Sequence, residues 1–127
     1  MVEAEALATP YQTAFRAGAV EGRADTLEAG RGGRGGMRPH ELLEAALATC
    51  MAITARMALE ELGIEAPGLR VRVELERSER ETAYVYELRG DRGLTAAQRA
   101  AVYDRLERCP VRRTLSRPAR FEQRAVA

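Results

Sequence analysis

Two cysteines, one histidine and an excess of arginine are the residues of this 127-residue chain that could carry chemistry. Cys50 lies in the middle of an apolar stretch, and Cys109 directly precedes a proline. These thiols and His40 are widely separated and show no CxxC or HxxxH spacing, so the sequence predicts no metal site. His40 lies ten residues before Cys50, about 15 Å along an ideal helix, which is too far for the general base of a cysteine hydrolase.

A redox-active cysteine pair is the chemistry that remains. The thiolate is the reactive form, so a thiol in an apolar helix needs a cation beside it. Arginine is suited to this because its guanidinium stays charged when partly desolvated, and Glu41 could hold it through a bidentate pair. Attack on a peroxide would leave a sulfenic acid on Cys50, with which Cys109 could condense to a disulfide. The alternative, which chain position alone favours, is that both cysteines are small buried hydrophobic residues.

Composition narrows the class of protein. The formal net charge is +1, which argues against a nucleic-acid or membrane-surface partner, and all 20 basic residues are arginine. No run of 18 apolar residues occurs, and the N-terminal sequence MVEAEALATP lacks the features of a signal peptide. We therefore predict a single domain spanning residues 1–127, a cytoplasmic location, and free thiols rather than a structural disulfide.

The stretch Pro39–Gly63 is predicted to be the central helix. Its apolar residues cover most of its circumference, and a helix apolar nearly all round is expected to be buried on nearly all sides. One further helix and a few strands are too little material to cover it. Its many alanines would allow another backbone to approach closely, so the sequence predicts a homodimer in which two such helices pack together.

The remaining elements predict an α+β fold with a mostly antiparallel sheet wrapped around the central helix and a second helix. Thr95 and Gln98 have the spacing of a capping box at the start of that helix, which should stop near Cys109 because Pro110 follows. The segment GRGGRGG is interpreted as a flexible connector rather than a nucleic-acid-binding segment. Alternating patterns predict strands at Tyr11–Ala17, Val20–Leu27, Arg70–Arg77, Thr82–Arg89 and Ala119–Ala125.

Each cysteine lies in a recognisable motif: PHELLEAALATC, followed by the apolar helix, and RCPVRRTLS some sixty residues later. These two motifs resemble those of the OsmC/Ohr family of thiol-dependent peroxide-reducing proteins. The glycine-rich segment before the first motif and LTAAQRAAV before the second add to the likeness. The resemblance implies an OsmC-like fold, an intertwined homodimer with two sites at its interface, hydroperoxide substrates, and regeneration by a dithiol, in one branch of the lipoyl type. It implies no cofactor.

The resemblance also implies roles for individual residues. It makes Cys50 the peroxidatic thiol, Cys109 the resolving thiol, and Glu41 the family's acid. Some members have that acid where this chain has His40. The family's arginine matches Arg23 in GAVEGRAD, with Arg16 and Arg38 as competitors. Arg112 occupies a position that is often histidine in related motifs.

Two functions from different classes follow from the sequence. The first is a peroxidase that reduces organic hydroperoxides in oxidative-stress defence, through a Cys50–Cys109 disulfide. The second is a non-catalytic dimeric module that binds a small apolar or acyl ligand beside inert thiols. Nucleic-acid binding through GRGGRGG is the third alternative, and the near-zero net charge disfavours it.

Overall fold

The computed structural model describes residues 1–65 and 68–126. Within them the strands pair in antiparallel fashion and alternate with helices, so the predicted α+β class is confirmed. In chain order the elements are β1 (Glu3–Ala6), β2 (Thr13–Ala17), β3 (Val20–Ala24), β4 (Leu27–Glu28), β5 (Arg31–Gly32), α1 (Pro39–Glu61), β6 (Arg70–Arg77), β7 (Thr82–Arg89), α2 (Ala96–Leu106) and α3 (Pro110–Leu115). The chain divides into two compact units at Ala45 and Ala46. The prediction of one domain stays a prediction.

The first unit, Met1–Ala45, contains β1 to β5 and the start of α1. Strands β1, β2 and β3 form one antiparallel sheet in that order. Gly18, with a φ of 60°, begins the two-residue turn between β2 and β3, a position where glycine meets no strain. The short hairpin of β4 and β5 lies in the glycine-rich segment that precedes α1.

The second unit, from Ala46 onward, contains the β6–β7 hairpin, whose bounds agree with the sequence prediction. Its register places Val73 opposite Tyr86 and Leu75 opposite Tyr84, so the predicted apolar faces of the two strands coincide. At the turn, the Ser78 hydroxyl accepts a hydrogen bond from the Glu81 backbone N–H at 3.1 Å. This face of the hairpin packs against the core.

Helix α2 begins and ends as its sequence predicts. The Thr95 hydroxyl accepts from the Gln98 backbone, and the Gln98 side chain accepts from the Thr95 backbone, which is a complete capping box. The helix ends at Leu106, shortly before Cys109, and Pro110 starts α3. The Tyr103 hydroxyl accepts a hydrogen bond from the Leu88 N–H at 3.0 Å and so joins α2 to β7.

The hydrophobic core of the second unit combines α1, β7 and α2. The predicted inner stripe of α2 is confirmed, because Val102, Leu106 and Cys109 are fully buried. The other buried members of this cluster are Leu47, Met51, Ala55, Ala58, Leu59 and Leu88. Helix α1 has the length and composition to cross a membrane, a criterion that the core helix of a soluble protein also meets. Its place in this cluster identifies it as a core helix.

The single chain leaves part of α1 exposed, and its burial on nearly all sides, which requires a second copy, stays a prediction. Ile53 and Met57, one turn apart, are 58% and 51% exposed, and Leu43 and Leu62 are also exposed. The physical reason is the shortage of material that the sequence already indicated: α2 and one face of the β6–β7 hairpin cover only part of the circumference.

The prediction of a strand at Ala119–Ala125 is wrong. Residues 118–126 form no strand, and Phe121, the one large apolar residue of the alternating pattern, is 96% exposed. A strand forms only where its backbone N–H and C=O groups find a partner strand. The described part of the chain offers none to this segment.

Replacement of Leu106 by alanine should lower the free energy of unfolding by about 2–5 kcal/mol, because it leaves a cavity in a fully packed core. Chemical denaturation at a fixed protein concentration measures this. Leu115→Ala is the matched control, since Leu115 is 37% exposed and should cost far less. Equal losses in the two variants would contradict the described core.

Candidate functional site

The two thiols, far apart in sequence, lie beside each other in the second unit. Cys50 comes from α1 and is partly exposed, whereas Cys109, in the turn between α2 and α3, is fully buried. Both are free thiols. A small molecule can therefore reach the Cys50 sulfur more easily than the Cys109 sulfur, and the second sulfur is already adjacent to the first.

Burial raises the pKa of Cys109 above its ordinary value of 9.0, and its hydrogen bond with Cys50 raises it further. The backbone N–H groups of Arg112 and Val111 act in the opposite direction. Both causes that raise this pKa favour the protonated form, so Cys109 is a neutral thiol at neutral pH.

Arg112, at the position that is often histidine in related motifs, contributes to the turn that carries Cys109. Its Nη1 donates to the backbone carbonyl of Glu107 at 2.8 Å. Glu107 is the C-cap of α2, where an unpaired carbonyl attracts a cation. Arg112 therefore ties the start of α3 to the end of α2.

Glu41 is the acceptor of a forked ion pair in the first unit. The Nη1 and Nη2 atoms of Arg34 lie 2.9 and 3.5 Å from its two carboxylate oxygens. The backbone N–H of Arg38 also donates to Oε1 at 3.0 Å, which caps the N-terminus of α1. The Arg38 N–H and then the Arg34 guanidinium hold the pKa of Glu41 below its ordinary value of 4.5. The Glu41 carboxylate is therefore held in place at the start of α1, and it binds the Arg34 guanidinium.

The arginines that the sequence suggested have other partners. Arg23 lies 3.5 Å from Glu21, and Arg16 lies within 4.0 Å of Glu5 and Glu21, all on exposed strand faces. Arg38 meets Glu41 through its backbone N–H. The role of Arg23 stays a prediction.

Sequence reasoning missed Arg34 because it lies inside GRGGRGG, which was interpreted as a flexible connector. In the structure this segment is instead a hydrogen-bonded loop. Two signals could have identified it. One is an acid at the third position of a helix preceded by arginines, and the other is an aspartate at the entrance of the glycine-rich segment.

A cavity of about 540 Å³ lies in the second unit, beside the later turns of α1. Its walls are largely apolar, and the Arg56–Glu60 ion pair, at 2.9 Å, lies among its charged lining residues. Cys50 is not among the residues that line it. The apolar wall consists of Ala52, Ile53, Leu59, Ile64 and Leu69.

Comparison with known protein families gives one match, to a family described as OsmC-like protein, over residues 30–124. The matched region includes the glycine-rich loop, both cysteines and Glu41. A comparison with curated proteins finds no significant match.

Solved structures with the same fold come from several bacteria. An osmotic stress induced and detoxification response protein from Psychrobacter arcticus 273-4 is 16% identical, with a TM-score of 0.70 and coverage of 89% of this chain and 85% of that one. An organic hydroperoxide resistance protein OsmC from Legionella pneumophila is 17% identical, with a TM-score of 0.62 and coverage of 91% and 88%. An OsmC-like protein from Mycoplasma pneumoniae is 16% identical, with a TM-score of 0.67 and coverage of 91% and 85%. At these identities the likeness concerns the fold.

Proposed function

The chain belongs to the OsmC-like protein family, and we propose that it is a thiol-dependent peroxidase that reduces organic hydroperoxides in oxidative-stress defence. The observation that carries the proposal is the thiol pair: a partly exposed Cys50 beside a buried Cys109. The name of the Legionella pneumophila structure, an organic hydroperoxide resistance protein, supports the same substrate class.

The first step is attack of the Cys50 thiolate on the terminal oxygen of the hydroperoxide. The O–O bond breaks, the sulfur is oxidised to a sulfenic acid, and the alkoxide takes up a proton and leaves as an alcohol. Glu41 and the arginine that it holds are proposed to favour the thiolate, as the resemblance implies for the family's acid and arginine. Arg34 is the candidate for this arginine, because it alone among the arginines discussed forms a side-chain fork with Glu41.

The second step is condensation of the two sulfurs. Cys109 loses its proton and attacks the Cys50 sulfur, the S–O bond breaks, and water leaves as the disulfide forms. The buried, protonated state of Cys109 suits this order of events, since it keeps that thiol from reacting with peroxide first. An external dithiol, of the lipoyl type in the related branch, would then reduce the disulfide and become oxidised itself.

A homodimer is the assembly that we propose for this enzyme. Ile53 and Met57 expose apolar surface on a core helix, and a second copy of α1 would cover it. The intertwined arrangement and the interface sites are what the resemblance implies. A cytoplasmic location suits two free thiols, because cytosolic reductants keep them reduced.

Titration of free thiols tests the proposal. Addition of one equivalent of cumene hydroperoxide to the reduced protein should remove both thiols and yield one equivalent of cumyl alcohol. Mass spectrometry of a digest should then find the Cys50–Cys109 disulfide. Retention of both thiols by folded protein would rule the proposed function out.

The cavity of about 540 Å³ supports the second candidate function, a module that binds a small apolar or acyl ligand. Because Cys50 does not line this cavity, a binding module should keep its ligand affinity when Cys50 is replaced. Two results together would favour this alternative: the wild-type protein shows no peroxide turnover, and a ligand still stabilises Cys50→Ser against unfolding.

A further inference from the structure

We propose that Asp25 is a positioning residue that holds the loop at Gly33–Gly35 so that the Arg34 guanidinium meets Glu41. This inference deepens the proposed function and rests on it, because Arg34 and Glu41 are part of the site proposed above. Asp25 would act through Arg34, without itself touching the substrate.

Asp25 is a buried carboxylate whose partners are amides. It is 2% exposed, and its Oδ1 accepts from the Thr26 N–H at 2.8 Å and from the Gly33 N–H at 3.3 Å. Its Oδ2 accepts from the Gly35 N–H at 2.9 Å, and the Gln12 side chain adds a further hydrogen bond. The Gly35 N–H is the largest of the causes that hold the pKa of Asp25 below its ordinary value of 3.8. The carboxylate is therefore charged at neutral pH and is stabilised by the loop that it organises.

The contacts of Asp25 fall on both sides of Arg34. Gly33 precedes Arg34 and Gly35 follows it, so the carboxylate holds the peptide group between Arg34 and Gly35 and, on the other side, the one between Gly32 and Gly33. The Gly33 N–H is shared with the carbonyl of Thr26 at 3.1 Å, and the Asp25 N–H donates to the carbonyl of Met37 at 3.0 Å. The loop is thus tied to Asp25 at its start, its middle and its end. Because the peptide after Arg34 is held directly and the chain is held again one residue before it, the direction in which the Arg34 side chain leaves the backbone is restricted.

The Arg34–Glu41 pair needs such support because it is solvated. The Arg34 side chain is 62% exposed and that of Glu41 is 38% exposed. An exposed ion pair gains little on its own, since ordering two long side chains costs entropy that solvent-screened attraction barely offsets. A loop that already holds the Arg34 backbone in the required position lowers this entropy cost, and Asp25 holds that loop.

Titration of Glu41 in full-length variants tests the proposal without any assay of activity. Asparagine at position 25 keeps the size of the side chain but replaces one acceptor oxygen with an NH₂ group, which cannot accept from the loop N–H groups. In Asp25→Asn we expect the pKa of Glu41 to rise toward its ordinary value. NMR of the side-chain carboxyl carbon across a pH series measures this pKa. Arg34→Gln should raise it similarly, and the double variant should add nothing further, because Asp25 acts through Arg34.

The control is Asp104→Asn, which makes the same change at an exposed aspartate paired with Arg108 and should leave Glu41 unaltered. If Asp25→Asn does not fold, Gly36→Ala keeps Asp25 and displaces the loop, since a Cβ there would collide with the Arg23 backbone, which cannot move aside as a flexible side chain can. An unchanged Glu41 titration in a folded loop variant would overturn the proposal, as would effects of Asp25→Asn and Arg34→Gln that simply add.

Peroxide turnover, measured on the same variants, separates this inference from the proposed function. In Asp25→Asn and Arg34→Gln the rate should fall by the same factor, about 10- to 100-fold, as expected when a reacting group loses its support. An inactive wild-type protein would refute the proposed function, while the Glu41 titration would still decide the role of Asp25. A raised pKa of Glu41 with an unchanged rate would refute the link between the loop and catalysis.

Discussion

Replacement of Cys50 by serine is expected to lower the rate of cumene hydroperoxide reduction by at least about a thousand-fold, as removal of an enzyme's nucleophile does. A hydroxyl is not ionised at neutral pH, so the serine cannot attack the O–O bond. The rate is measured as peroxide consumed in the presence of excess dithiol. Circular dichroism of the variant should be unchanged, because Cys50 and serine have similar size and Cys50 is not fully buried.

Cys109→Ser is the companion variant, and it separates the two proposed steps. Cys50 should still be oxidised once, but the disulfide cannot form, so the sulfenic acid should accumulate and be trapped by dimedone. Turnover by the wild-type route should then stop after one equivalent of peroxide. If Cys50→Ser retained full turnover, or if dimedone labelled position 109 in the wild-type protein, the proposed roles of the two thiols would be wrong.

Replacement of Ile53 by glutamate is expected to dissociate the proposed homodimer. Ile53 is 58% exposed on the core helix α1, and in the dimer the new carboxylate would lie uncompensated in an apolar interface. Such a charge costs about 3 kcal/mol or more, which is roughly a 100-fold increase in the dimer Kd. Analytical ultracentrifugation across a concentration series measures this change.

Val126→Glu makes the same charge change near the C-terminus, at a residue that is 96% exposed, and should leave the dimer intact. Two outcomes would contradict the assembly: a monomeric wild-type protein at micromolar concentration, or a dimer unaffected by Ile53→Glu. If the dimer dissociates and turnover is also lost, each site requires both chains, as the resemblance implies.

Local elements were predictable from the sequence. The bounds of β6 follow from strict alternation of apolar and charged residues, those of β7 from Tyr84, Tyr86 and Leu88 on one face, and the capping box at Thr95 defines the start of α2. The end of α2 follows from Pro110, which cannot continue a helix. Each of these signals depends on residues adjacent in the chain, so no tertiary information is required.

The failures share a cause. The alternating residues at Ala119–Ala125 could form a strand only if a partner edge were available, and alternation says nothing about a partner. In the glycine-rich segment, composition predicts a flexible backbone, whereas hydrogen bonds to a single buried carboxylate, that of Asp25, hold the backbone in place. In both places contacts between separate segments decide the outcome, because the first segment lacks the partner that a strand needs and the second gains one that fixes its backbone.

Three features could be inferred without any structure: the α+β class, the central helix with too few elements to cover it, and the two thiols within motifs. These are properties of periodicity, capping and composition. The tertiary structure was needed to place Cys109 beside Cys50, and to pair Glu41 with the side chain of Arg34 rather than that of Arg23. The reason is physical: which groups meet depends on how loops and helices pack, and burial keeps Cys109 protonated.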